Sequence, residues 1–135
     1  MTYLLDTNAV SALMKGNETF IKRLTAHLPT DIAIPQPVIA EIAYGIERLP
    51  ASRKRRALQD RFSLICSEVR RAEWTDDVSQ AFGRIKATLE RRGTRIEDFD
   101  AAIAAHALAN HATLVTSDGD HMYRVSGLLL EDWSR

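Results

Sequence analysis

The stretch "DFDAAIAAHALAN", Asp98 to Asn110, runs almost directly into "ATLVTSD", Ala112 to Asp118, and this junction restricts the fold more than any other feature. With Asp98 read as the N-cap, the helix from Phe99 to Asn110 has only Asp100, His106 and Asn110 as polar side chains. A helix apolar nearly all round must be covered on several sides, so it packs between layers rather than on a surface. The strand after it is apolar until Thr116, Ser117 and Asp118, where it runs out into hydrogen-bonding residues.

The same ending occurs at the start of the chain, where "YLLDTN" passes from an apolar strand to Asp6, Thr7 and Asn8. Between these strands, short apolar runs alternate with segments of helical period, the pattern of an α/β domain with a mainly parallel sheet flanked by helices. A short helix is expected near Ala9–Lys15, stopped by Gly16, and a second over "ETFIKRLTAH". "DIAI", Asp31–Ile34, reads as the second strand. The next helix has Pro37 in its first turn and continues through "VIAEIAYGIERL" to Pro50. A basic helix follows over "SRKRRALQDRF", and "LICSEV", Leu64–Val69, reads as a strand. "TDDVSQAFGRIKATLERRG" has a Thr or Asp start, an acidic first turn, basic residues near its end and a stopping Gly93. "GLLLEDW" supplies a last apolar segment. At 135 residues the chain suits one domain, residues 1–135.

Composition excludes several function classes. No apolar segment reaches the roughly 20 residues needed to span a bilayer, and no signal-type start is present, so a soluble protein is expected. The single Cys66 cannot form a disulfide framework or thiolate zinc site, reads as a small core residue, and fits a reducing cytoplasm. Lys plus Arg and Asp plus Glu both number 18, so nucleic-acid binding would depend on local patches. His27, His106, His111 and His121 offer no close pair on one helix face, and His106 reads as a hydrogen-bonded packing residue. Trp74 and Trp133 read as packing residues. The chain has no nucleophile-elbow motif or Gly-rich phosphate loop.

The carboxylates carry the chemical signal. At about 100° per residue, Asp100 projects among Ile103, Ala104 and Ala107. Complementing a helix N-terminus is worth only about 0.3–1 kcal/mol. Holding an ionised carboxylate in apolar surroundings costs several kcal/mol. Glu41 borders a stripe of Val38, Ile39, Ile42, Ala43, Ile46 and Leu49, one turn before Gly45; alone it reads as a solvated glutamate. Asp118 before Gly119 alone reads as a turn residue. In open α/β sheets, however, strand carboxyl ends and adjacent helix starts line one crevice. Asp6 and Asp118 lie at strand ends and Glu41 early in a helix, whereas spacing leaves the edge occupied by Asp100 open. If all four meet, they repel one another and call for a hard cation such as Mg2+ or Mn2+.

In order, "LLDTN", "EIAYG", "FDAAIAAHALA", "ATLVTSD" and "GLLLEDW" resemble a PIN-domain protein, specifically a VapC-type toxin ribonuclease, over essentially the whole chain. The resemblance implies a metal-dependent endoribonuclease in which Asp6, Glu41, Asp100 and Asp118 form the catalytic metal site. It places Thr7, Asn8 and Thr116 as orienting groups around them. It also implies one or two Mg2+ or Mn2+ ions, RNA products with 5′-phosphate and 3′-hydroxyl ends, a small inhibitory antitoxin partner and a homodimer in the cytoplasm. The chain departs from the family where "GDHMYRV" puts His121 and Met122 in place of an acidic residue followed by Phe.

Basic runs at Arg53–Arg56, Arg70–Arg71 and Arg91–Arg95 could contact phosphates, although any one run, above all Arg53–Arg56 with Asp60 nearby, reads first as a solvated helical face; Arg91, Arg92 and Arg95 are favoured because Asp100 follows them. Two other readings compete. A signalling receiver domain would need a phosphoacceptor Asp in a mid-chain strand and a late Lys, and neither is present. A PIN-like module that binds RNA or protein without cutting is permitted by the departure at His121, but four retained carboxylates argue against it.

Overall fold

Leu4 and Leu5 are fully buried because their strand lies at the centre of a parallel sheet with both faces covered, an arrangement that favours continuous apolar strands. The computed structural model describes residues 2–135. Among these, the strands are β1 (Tyr3–Leu5), β2 (Ile32–Pro35), β3 (Arg70–Ala72), β4 (Thr113–Val115) and β5 (Leu130–Glu131). Their spatial order is β3-β2-β1-β4-β5, and every pairing is parallel. Leu4 pairs with Ala33 on one side and Leu114 on the other. The chain therefore leaves β1 toward β2 and returns on its opposite side with β4, making the β1–β4 boundary the switch point where such sheets open a crevice.

The helices are α1 (Thr7–Met14), α2 (Glu18–Thr25), α3 (Gln36–Glu47), α4 (Arg53–Glu68), α5 (Asp76–Arg91), α6 (Asp98–Ala109) and the single turn α7 (Gly119–Met122). Ala101 to Ala107 are all buried in α6, which packs against α5, α3 and β4. Small side chains allow this close approach from several directions. Gly16 and Gly93 have φ of 74° and 69°, the left-handed conformation expected where each ends a helix.

Several local expectations are corrected. "LICSEV" continues α4 instead of forming a strand, because Leu58, Phe62, Ile65 and Val69 follow a helical stripe toward the core. Leu64 is left exposed on the opposite face. Pairing is confined to Arg70–Ala72 at the sheet edge, where the guanidinium of Arg70 donates to the carbonyl of Thr30. Glu97, not Asp98, is the N-cap of α6; its backbone is extended, whereas Asp98 is helical and pairs with Lys86 at 3.1 Å. Ala43 is exposed, so the buried stripe of α3 is narrower: Val38, Ile42 and Ile46.

Trp133 is buried and stacks on His27 at 4.8 Å, as a packing residue should. Trp74 is 44% exposed, yet its ring meets the edge of His106 at 5.5 Å. The hydrogen-bonding expectation for His106 fails. Its side chain is fully buried and neither ring nitrogen has a hydrogen-bond partner among the described residues. Burial lowers its pKa to about 4, so the imidazole is neutral and serves as packing.

Candidate active site

The carboxyl end of β1 delivers Asp6 into the interior, where it is 4% exposed. The residue is the N-cap of α1, and its Oδ1 accepts a hydrogen bond of 2.8 Å from the amide of Ala9. Thr7 follows in the first turn and donates from Oγ1 to Glu41 Oε1 at 2.6 Å. This contact joins the start of α1 to α3 and holds Glu41 toward the carboxyl edge of the sheet.

The direction of α6 resolves the position of Asp100. Because α6 returns the chain to the amino edge before parallel strand β4 begins, its first turn lies at the opposite, carboxyl edge. Asp100 thus joins Asp6. At the end of β4, buried Thr116 accepts a hydrogen bond of 2.9 Å from the amide of Asp118, shaping the turn that presents this carboxylate. His121 lies one helical turn later, with Nδ1 3.0 Å from Asp118 Oδ2.

The electrostatics record this crowding. Asp6 is pushed up to about 6, chiefly by burial, with the charges of Asp100 and Asp118 adding to the shift; hydrogen bonds from Thr116 and Ala9 oppose it. Asp100 is also raised by burial and then by Glu41 and Asp118, while His121 acts in the opposite direction. Donor atoms from Asp100, Asp118 and His121 all lie within 4.8 Å of one another. Clustered oxygen donors, held in place and destabilised as anions, fit a hard divalent cation.

The cleft beside them has a volume of about 610 Å³ and is lined by residues including Glu41, Arg95, Phe99, Asp100 and His121. Phe99 is 48% exposed, an aromatic face that sequence reasoning missed. The Asp118-x-x-His121 spacing was the available signal for His121, because residues three apart share a helix face.

Other expected groups separate. Arg95 lines the cleft, whereas Arg92 lines a different groove with Arg84 and Arg124; Arg91 is exposed near Thr88. Asn8 is exposed and borders a small recess with Thr116 and Ser117. Within Arg53–Arg56, Arg55 pairs with Glu47 at 3.0 Å. Arg71 reaches Gln36 and the carbonyl of Cys66, consistent with a structural use of these side chains.

Comparison with known proteins accords with this architecture. The PIN domain family matches residues 3–128. Ribonuclease VapC2 of Rickettsia felis is 31% identical, with complete coverage of both chains. The tRNA(fMet)-specific endonuclease VapC of Salmonella typhimurium is 28% identical over 98% of each chain. A chain in the crystal structure of VapBC2 from Rickettsia felis bound to a DNA fragment from their promoter has a TM-score of 0.87 and 30% identity. The match covers 98% of this chain and 99% of that one. With a family match spanning nearly its whole length and full-length VapC relatives, the chain belongs to the PIN-domain family, in its VapC branch.

Proposed function

We propose that this protein is a divalent-metal-dependent endoribonuclease, the toxin of a two-protein toxin–antitoxin pair. The observation that carries the reading is the mutual electrostatic influence of carboxylates at the carboxyl edge of the sheet: Asp100 and Asp118 raise Asp6, Glu41 and Asp118 raise Asp100, and donor atoms of Asp100 and Asp118 lie within 4.8 Å of each other. The names of the relatives, ribonuclease and endonuclease, support the reaction class.

Asp6, Glu41, Asp100 and Asp118 would hold Mg2+ or Mn2+. Such a cation supplies an acidified water and neutralises charge at a phosphodiester. The residues themselves do the positioning. The Ala9 amide orients Asp6, Thr7 fixes Glu41, and Thr116 shapes the turn that carries Asp118. Hydrolysis yields 5′-phosphate and 3′-hydroxyl ends. The relatives' names, ribonuclease and endonuclease, favour cleavage over a module that only binds.

RNA must enter a site of negative potential, and Arg95 is the expected phosphate contact because it lines the same cleft. Arg95→Ala should weaken RNA binding and reduce the slope of log affinity against log salt by about 1. Arg92→Ala should leave both nearly unchanged. Fluorescence anisotropy across a salt series separates the two; equal effects would place the RNA path across both grooves.

The same reading includes a small antitoxin that occupies the cleft, a homodimer and action in the cytoplasm. No helix among the described residues is long and apolar enough to cross a membrane. The direct test is RNA cleavage with Mn2+ or Mg2+ and with EDTA. Activity should disappear in chelator, return with added metal and be absent in Asp100→Asn. Cleavage that persists in EDTA or in Asp100→Asn would reject the metal-centred mechanism.

A further inference from the structure

We infer that His121 is a nitrogen ligand of the metal centre, making it a mixed carboxylate–imidazole site that favours Mn2+ and other transition ions over Mg2+. The inference rests on the metal site proposed above and concerns its composition.

Geometry supplies the first argument. Two neighbouring ligands of an octahedral cation, each at about 2.1 Å, lie about 3.0 Å apart. His121 Nδ1 and Asp118 Oδ2 are 3.0 Å apart and share a hydrogen bond; a cation taking the place of the shared proton, with both groups turning toward it, finds the two donor atoms already at the spacing of neighbouring ligands. Asp100 offers an oxygen within 4.8 Å of both, close enough for a modest inward shift to bring it into the same shell, where ligands lie about 3.0–4.2 Å apart.

Packing supplies the second. Although His121 is half exposed, its backbone is not free to swing away. The next residue, Met122, is 1% exposed and anchors α7 in the core. The amide of Tyr123 donates to the carbonyl of Gly119 at 2.8 Å, closing the turn. Arg124 Nη1 donates to the carbonyl of Arg95 at 2.8 Å, tying this segment to the loop that enters α6 and carries Asp100. The imidazole is consequently presented to the cleft between Asp118 and Asp100.

Ligand chemistry gives the consequence. Carboxylates suit Mg2+ and Mn2+ alike and imidazole suits Fe, Ni, Cu and Zn; Mn2+ stands at the bottom of that transition-metal series, yet as a member of it gains more from a nitrogen ligand than Mg2+ does. A single imidazole therefore shifts selectivity away from Mg2+ without excluding it.

Mn2+ is the probe for the test, using pulsed electron paramagnetic resonance on the full chain and on His121→Gln, with calorimetry to verify binding. The wild type should show 14N modulation on bound Mn2+. His121→Gln should bind Mn2+ more weakly by at least about tenfold, the lower end of what losing even an outer-shell partner costs, and without that modulation, while Mg2+ affinity changes less. His121→Asp should recover affinity without the nitrogen signature. Mn2+ bound to the wild type with no 14N modulation, or modulation that persists in His121→Gln, overturns the role of His121 and leaves a carboxylate site. Absence of Mn2+ binding in every protein overturns both the ligand assignment and the metal site.

Discussion

Asp6→Asn should abolish RNA cleavage and, in chelator at pH 7, make the protein more stable than the wild type. Asp6 is buried at the end of β1, and its folded-state pKa is about 6 against an ordinary 3.8. The sign follows from proton binding. Between these values the folded protein binds more protons than the unfolded chain, so this group's contribution is full below pH 3.8 and is lost as pH rises through 6. At pH 7 the ionised carboxylate costs on the order of 3 kcal/mol in the metal-free protein. Asn removes the charge and still caps α1, and the pKa of about 6 already includes the favourable bond from the Ala9 amide. The gain is on the order of 3 kcal/mol, a rise of several degrees in melting temperature for a domain of this size.

Metal should reverse the order. Mn2+ stabilises whichever protein binds it in the folded state, so the wild type should gain in melting temperature and Asp6→Asn should gain little. Cleavage should fall by well over about 100-fold, since disturbing even outer-shell partners of a metal costs about 10–100-fold. Thermal melts in EDTA and Mn2+, paired with cleavage assays, measure all three effects. A less stable Asp6→Asn in EDTA would show that the Asp6 carboxylate is compensated within the protein itself, removing the electrostatic argument for a cation.

The second large effect lies away from the cleft. His106→Leu should protect the protein against acid. The imidazole is buried against Trp74, lacks hydrogen bonds among the described residues and has its pKa lowered to about 4 from 6.5. Here the unfolded chain binds the extra proton. Stability associated with neutral His106 is fully present above pH 6.5 and lost progressively down to pH 4. At pH 5 the loss is about 2 kcal/mol. Leucine has no such proton and leaves no buried nitrogen without a partner, so the advantage of the variant should widen by about that amount between pH 7 and pH 5. Urea unfolding at the two pH values is the measurement. A constant difference would mean that the imidazole titrates alike in both states.

Much of the architecture was legible locally. Consecutive apolar residues in β1 and β4, the all-round apolar surface of α6 and the glycine stops are statements about neighbouring residues, and each folds as its pattern requires. "LICSEV" failed because a short apolar run has no length or period to separate strand from helix until its upstream partners Leu58 and Phe62 are included. The carboxylates could likewise be picked out one by one, since an Asp ending an apolar strand and an Asp on an apolar helix are conspicuous in the order of residues.

Their convergence is a different kind of fact. Thr7 and Glu41 meet across 34 residues, Asp100 reaches the site because α6 runs back against the parallel strands, and His121 joins through a turn held by Met122 and Arg124. Residue order alone therefore set the class of fold and named the acidic candidates, because periodicity, capping and strand termination depend on short-range sterics and burial. Which candidates share one cleft, that Arg95 enters it while Arg92 does not, and that an imidazole stands among the carboxylates were decided by tertiary packing. Through-space distance between segments is set by how helices dock on the sheet, and no local pattern encodes it.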